Sequence, residues 1–396
     1  MNRPSPLNRF GWEFRDVSLD RVANSPTLEM VNLVLQRQAA GEHIVSLAIG
    51  EPSFQTPHEI IDAAYEAMKA GEVHYTSSYG TREVREAIAK KVRRKNGLQA
   101  EPAETAFITT KFAVYASLMA IVKANSEVLI PDPGYFYAEP VVLSGAKPKP
   151  YPLGPEFSLD ASLIRKQIGP RTRAIIVNSP SNPTARVFDR GELQALYELC
   201  REKKIAIISD EAYEDLVYGK VHFSIGSLEE KPDLVLTLFS LSKSYAMTGW
   251  RAGYVVAAQR TIARIAKFLE NTYTSYPPFI QRASAYALLN GDGFISGFRS
   301  ELAARKKMAE ARLAEMKGVE PYTAEGAFYL FPRYRGPTKS IALSKRILTE
   351  QALAVLPGSA FGGRGEHRLR ISFSGAPETL AEGLDKLAAF FSNLRA

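Results

Sequence analysis

Ser240-Leu241-Ser242-Lys243-Ser244-Tyr245-Ala246-Met247-Thr248-Gly249-Trp250-Arg251-Ala252-Gly253-Tyr254 sets one lysine among small hydroxyl residues, with an arginine a short way on and glycine on either side of that arginine. The combination offers a nucleophilic amine beside a cradle for phosphate. An ordinary surface lysine is protonated and a poor nucleophile, so covalent work needs a site that lowers its pKa by desolvation or a neighbouring cation. The preceding run, Leu234 to Phe239, is almost continuously apolar and reads as a buried strand that delivers Ser240 to Lys243 at its C-terminal end. Ligands of open α/β sheets sit at that end. Taken alone, the stretch also fits a hydroxyl-rich loop with one solvated lysine.

The chain has 396 residues, too many for one small core, so two domains are expected. Hydrophobic residues make up 45% and charged residues 23%, as in an ordinary globular protein. The net charge of +8 is spread over helical stretches and not gathered in a basic arm, which favours small anionic ligands over nucleic acid. The single cysteine, Cys200, cannot form an internal disulfide, which fits a reducing, cytoplasmic setting. No apolar run approaches the roughly 18 residues that a membrane span needs, and Met1 to Asp20 has no signal-like apolar core. No metal site is expected.

Helical periodicity is read at 27–39, 57–70 and 82–95, with a short strand at Ser46 to Ile49 that ends in Gly50-Glu51-Pro52. Glycine there permits close backbone approach to a ligand, although a plain turn is equally consistent. From residue 105, apolar runs at 106–108, 128–130, 174–177, 205–208, 234–239 and 254–257 alternate with helices at 113–123, 190–203 and 259–270. Such alternation predicts a mostly parallel sheet covered on both faces. After residue 295 come a long charged helix at 296–317, a strand at 327–331, a helix at 339–350, a strand at 368–373 and a closing helix from 377. The expected division is 57–294 for a large α/β domain and 295–396 for a smaller α+β domain, to which 1–56 adds an N-terminal segment.

Asp210 follows the 205–208 strand and so lies at the sheet's C-terminal edge beside Lys243. A carboxylate there keeps a nearby ring nitrogen protonated by charge pairing, and Tyr213, one helical turn on, can hydrogen-bond a phenolate on the same ring. An acidic residue after a strand serves equally as a helix N-cap. Asn178 to Thr184 presents two amides in a proline-stiffened loop, which in isolation is a turn and beside Asp210 and Lys243 is a third wall.

Asn182-Pro183-Thr184, Asp210 with Tyr213, Ser240 to Lys243 and Arg251, in this order, resemble the class I/II aminotransferases of fold type I, which depend on pyridoxal 5′-phosphate. The resemblance runs from about residue 25 to the C-terminus. It implies a large domain with a mostly parallel seven-stranded sheet, and Lys243 as both the Schiff-base lysine and the proton shuttle. It pairs Asp210 with the pyridinium nitrogen, Tyr213 and Asn182 with the ring's 3′-oxygen, and Tyr135 with the ring face. Phosphate falls to Ser240, Ser242, Arg251 and the helix start at Thr109, Thr110 and Lys111, where amides and dipole favour an anion. Tyr75 resembles the tyrosine that crosses a homodimer interface to the other copy's phosphate. Arg370 is implied as the clamp for the substrate α-carboxylate, with Gly50, Asn182 and Tyr135 beside it, whereas Arg368 is read as a structural or solvated charge. Departures are Thr109 and Ala185 where glycine is usual, Ala124-Asn125-Ser126 in place of Pro-Gly-Asp, and Ser53 in place of Asp.

Lys111 and the segment Ser25-Pro26-Thr27 resemble the parts with which one branch of aspartate aminotransferases reads a distal carboxylate and closes over substrate. The expected reaction is therefore amino transfer, in two ping-pong half-reactions, between an L-amino acid, first aspartate or glutamate, and a 2-oxo acid such as 2-oxoglutarate. Lys111 serves equally well as a solvated charge. The same residues also suit aromatic or aliphatic substrates, a lyase or cyclising synthase using the same cofactor, or a cofactor-binding regulatory module.

Overall fold

The computed structural model describes Asp20, Val22 and residues 26–393. Its centre is a seven-stranded sheet in the order Thr105–Phe107, Gly253–Val256, Val235–Ser240, Ala206–Asp210, Thr172–Asn178, Glu127–Asp132, Lys147–Pro152. Gly253–Val256 runs antiparallel to both of its neighbours, and the other pairings are parallel. Successive side chains of a strand point to opposite faces. Ile176, Ile208, Leu236 and Leu238 thus join one buried cluster, and Ile175, Val177, Ile207 and Val235 join another. Burial on both faces is why these strands read as continuous apolar runs. Leu238, fully buried, contributes about 1.5–3 kcal/mol.

The seventh strand, Lys147–Pro152, has no counterpart among the apolar runs read from the sequence. Pro148, Pro150 and Pro152 disguise it, and they are tolerated because the strand lies at the sheet edge, paired on one side with Glu127–Asp132. Lys147 N donates to the Ser126 carbonyl at 2.8 Å, so the prolines occupy the alternate, outward-facing positions.

A third cluster gathers Leu47, Leu330, Ile371, Phe373 and Leu384. Here Leu369–Ser372 lies between Leu356–Pro357 and Tyr329–Leu330, antiparallel to both, and Val45–Ser46 pairs in parallel with Leu353–Ala354. The expected Ser46 to Ile49 strand is thus only two residues long, but Leu47 continues it by accepting from Ser372 N at 2.8 Å and donating to the Ala354 carbonyl at 2.9 Å. The long charged helix spans Asp292–Ala314 and the one expected at 113–123 starts earlier, at Thr110. Among the described residues no helix is long and apolar enough to cross a membrane, and no cluster of acidic, His or Cys side chains suits a metal ion.

Candidate active site

The strand Val235–Ser240 ends where Ser240 Oγ accepts from Ser242 N at 3.2 Å, which opens the short helix Leu241–Ser244 and turns Lys243 out of the sheet edge. Lys243 Nζ donates to the Gly50 carbonyl at 2.8 Å. Burial lowers its pKa from 10.5 to about 8; Glu51 opposes this, and the Arg370 and Arg251 cations reinforce it. The amine therefore has a substantial neutral, nucleophilic fraction near neutral pH. Ser244 Oγ donates to Asp215 Oδ2 at 2.6 Å and ties this helix to the turn that carries Asp210 and Tyr213.

Asp210 ends the adjacent strand, buried, and accepts from the Tyr137 hydroxyl at 2.7 Å and from Ala212 N at 3.2 Å. Burial lifts its pKa from 3.8 to about 6, against the two hydrogen bonds. A cation close to this carboxylate would hold it ionised. Asp210 is followed by a series of turns, so it caps no helix. Tyr137 escaped the sequence reading, since nothing in Asp132 to Tyr137 marks which aromatic meets Asp210 across the sheet.

Asn178 Nδ2 donates to the Asp210 carbonyl at 2.9 Å and its Oδ1 accepts from Asn182 N at 2.8 Å, so the amide loop is fixed to the same strand end. Asn182 Oδ1 in turn accepts from Arg370 Nη1 at 3.1 Å, and Arg370 Nη2 donates to the Ala48 carbonyl at 2.5 Å. Arg370 is buried, its guanidinium 4.3 Å from the Tyr329 ring centre and 5.0 Å from that of Phe361. Its Nε meets no partner among the described residues. A buried donor without a partner is costly, which marks a place for an anionic ligand. Tyr213 and Tyr329 share a hydroxyl contact of 3.0 Å, and a Cβ added at Gly50 would come within 1.9 Å of the Tyr329 hydroxyl. Only glycine fits there. Tyr135 is half-buried; burial, with Tyr329 and Asp210, raises its pKa to about 12 while Arg370 and Arg251 oppose that. Arg368, by contrast, donates to the Phe331 carbonyl at 2.8 Å and stacks over Phe157, a structural role.

Thr109 caps the helix Thr110–Ile121 with φ −61°, so the position expected for glycine needs no left-handed backbone. Its N–H donates to the Tyr276 hydroxyl at 3.0 Å, and Thr110 Oγ1 donates to the Phe239 carbonyl at 2.8 Å. A Cβ at Gly253 would lie 2.7 Å from both that carbonyl and Thr110 Oγ1, so glycine lets the helix start approach the strand ends. The first-turn amides of the helix have no intrahelical acceptor and carry its positive pole. Arg251 is exposed, with φ 56° and Nη1 donating to the Thr248 carbonyl at 2.8 Å. Ala185 takes the left-handed region itself, with φ 53°.

Gly50, Tyr135, Asn182, Asp210, Tyr213, Lys243 and Arg370 thus converge, with Ser240, Ser242, Thr109, Thr110 and Arg251 on the adjoining strand and helix ends. Lys111 is exposed on the first turn of its helix with no hydrogen bond among the described residues, and Tyr75 is 89% exposed. Of Ser25-Pro26-Thr27, Ser25 lies outside the described residues, as do the side chains of the other two. A buried amine of lowered pKa, a buried carboxylate, and a helix start with hydroxyls and a cation are a donor set that fits a flat, phosphorylated aldehyde.

A family model for aminotransferase class I and II matches residues 42–387. The chain is 38% identical over 380 residues to aromatic-amino-acid aminotransferase 2 of Thermococcus litoralis and to the aspartate aminotransferase of Pyrococcus abyssi, covering 92% of this chain and 97% of each relative. The aspartate aminotransferase structure from Thermus thermophilus with maleate superposes with a TM-score of 0.91 at 31% identity, over 96% of this chain and all of that one. The chain belongs to the class I and II aminotransferases, enzymes of a pyridoxal phosphate-dependent family.

Proposed function

We propose that this chain moves the amino group of L-aspartate or L-glutamate to a 2-oxo acid such as 2-oxoglutarate, with pyridoxal phosphate bound covalently at Lys243. The observation that carries the reading is the buried Lys243 amine, held on the Gly50 carbonyl at 2.8 Å and acted on by the charge of Arg370. The cofactor, when bound, supplies a cationic ring that accepts the electrons of the substrate's Cα–H bond. Asp210 holds the proton on its ring nitrogen, kept in place by Tyr137. Asn182 and Tyr213 donate to its ring oxygen, and Tyr135 packs on its face. Its phosphate takes the first-turn amides from Thr109 to Lys111, the hydroxyls of Thr110, Ser240 and Ser242, and Arg251.

Substrate enters with its α-carboxylate on Arg370, where the unpartnered Nε completes a planar fork, and on the Gly50 backbone beside it. That grip turns the Cα–H bond toward Lys243, whose amine, once the substrate's amino group has displaced it from the cofactor, would be the base that takes the Cα proton. Positioning of this kind lowers barriers without new chemistry. Two such half-reactions, one with the donor amino acid and one with the acceptor oxo acid, make a cycle. Lys111, exposed and unpaired near the helix start, is the cation for a distal carboxylate. A second reading, aromatic amino acids, is favoured by the rings of Tyr135, Phe136 and Phe361 packed close to Arg370.

The division into residues 57–294 and a smaller unit formed by 1–56 with 295–396 belongs to the same proposal. So do a cytoplasmic setting and a homodimer in which the exposed Tyr75 reaches the phosphate of a second copy. The test is an absorbance spectrum of protein loaded with pyridoxal phosphate, followed by aspartate, glutamate, alanine and phenylalanine in separate cuvettes. Loss of the visible band with the two dicarboxylates and its return with 2-oxoglutarate is expected. A band that only phenylalanine or alanine converts would discard the dicarboxylate pocket, and no band at all would discard Lys243.

A further inference from the structure

Tyr329 touches three parts of the site and was singled out by none of the sequence motifs. It lies on the strand beside Leu369–Ser372, with Tyr329 opposite Ser372 and Leu330 opposite Ile371. Tyr329 and Arg370 are therefore diagonal neighbours on one face. Its ring is 4.3 Å from the Arg370 guanidinium, its hydroxyl 3.0 Å from that of Tyr213, and the same hydroxyl rests over the Cα of Gly50, whose carbonyl holds Lys243.

A phenol has one proton to donate. If Tyr213 spends its proton on the cofactor's ring oxygen, as in the site assignment above on which this inference rests, Tyr213 can only accept from Tyr329. The chain then has one direction, from Tyr329 to Tyr213 to the ring oxygen. A hydroxyl that accepts a hydrogen bond is a stronger donor in its turn. The first donor in the chain sits on an aromatic ring beneath a cation, and that cation is the group a substrate carboxylate neutralises.

We propose that Tyr329 is a positioning residue that links the Arg370 clamp to the Tyr213 hydroxyl, so that a carboxylate on Arg370 is felt at the cofactor's ring oxygen. With the clamp empty, Arg370 strengthens the Tyr329 donor; with the clamp filled, the donor weakens and Tyr213 gives less to the ring. Arg370 and Tyr135 are the other ionisable groups acting on Tyr213, and Arg370 is the other one acting on Tyr329. Asp210 and Arg251 act on Tyr135, and Glu51, Arg370 and Arg251 act on Lys243, so these charges are common to every variant below.

Protein loaded with pyridoxal phosphate is titrated with pH by visible absorbance, with and without saturating maleate, as wild type, Tyr329→Phe, Tyr213→Phe and the double variant. Maleate binding is measured separately by calorimetry. Maleate should displace the wild-type titration midpoint, and Tyr329→Phe should remove about half to one pH unit of that displacement, the worth of one hydrogen bond, while still binding maleate. In the Tyr213→Phe background the same change should do nothing further. The link is overturned if wild type shows no displacement, if Tyr329→Phe keeps all of it, or if the loss is equal in both backgrounds. It is also overturned if Tyr329→Phe no longer binds maleate, which would make Tyr329 a wall of the clamp alone. Failure of the underlying site assignment looks different: loading gives no visible band in wild type, or borohydride reduction of the loaded protein fixes the cofactor to a residue other than Lys243.

Discussion

Gly50→Ala puts the closest contact in the site to a direct test. The added Cβ would stand 1.9 Å from the Tyr329 hydroxyl oxygen, 2.8 Å from its Cζ and 3.0 Å from its Cε1. Tyr329 is buried between Tyr213 and Arg370, so it cannot swing into solvent. Overpacking of a filled interior costs about 1–3 kcal/mol. Displacing the hydroxyl also breaks the bond to Tyr213, worth about 0.5–1.5 kcal/mol. Equilibrium urea unfolding should therefore show a loss of about 1.5–4.5 kcal/mol. In a Tyr329→Phe background the 1.9 Å contact is gone and the hydroxyl bond already lost, but the ring carbons remain, so the same substitution should cost less without becoming free. A Gly50→Ala protein within about 0.5 kcal/mol of wild type in both backgrounds would refute the close approach, and with it the claim that glycine is required here.

Reductive alkylation of the cofactor-free protein with a small aldehyde, read by peptide mapping, should label Lys243 with a midpoint near pH 8; a midpoint near 10.5, the ordinary lysine value, would mean the amine is solvated. Asp210, with its pKa raised to about 6, binds its proton more tightly in the folded chain than in the unfolded one, so cofactor-free stability falls as pH rises from about 4 to about 6 and the penalty persists above that window. Asp210→Asn should accordingly gain up to about 3 kcal/mol at pH 8 by urea unfolding, with no gain below pH 4, and should lose transaminase activity. Lys111→Ala should lower kcat/KM about tenfold or more for aspartate and glutamate, as expected when one charged hydrogen bond is lost, and should spare phenylalanine and alanine. Equal losses for all four would remove the distal-carboxylate role.

The parts of this fold that the sequence makes legible are those where one physical rule acts without competition. Val235 to Phe239 is almost wholly apolar because both faces of the strand are buried, and the lysine that follows stands at the strand's C-terminal end, where ligands of such sheets bind. Lys147–Pro152 is illegible for the opposite reason: edge position lets a strand tolerate prolines that would break a central one, so its composition argues against its conformation. The turn after Asp210 is held by separate buried contacts that no local spacing announces, Glu211 with Ser209, Ser224 and His222, and Glu214 with Asn96 and Lys91. Tyr137 and Tyr329 matter through contacts across strands far apart in sequence, and no local spacing encodes those.

The three prolines of the edge strand have a meaning beyond disguise. In a parallel pair the residues that bond inward alternate with residues whose peptide groups face out, and here Lys147, Lys149 and Tyr151 take the inward set while Pro148, Pro150 and Pro152 take the outward one. Each outward position has therefore lost its N–H, the donor that an incoming strand would need. An open-sided sheet ordinarily invites a neighbouring molecule to add to it, and from there to fibrils. This border keeps its outward carbonyls but has no outward main-chain donors, so an incoming strand in a concentrated solution could form only half of a ladder there.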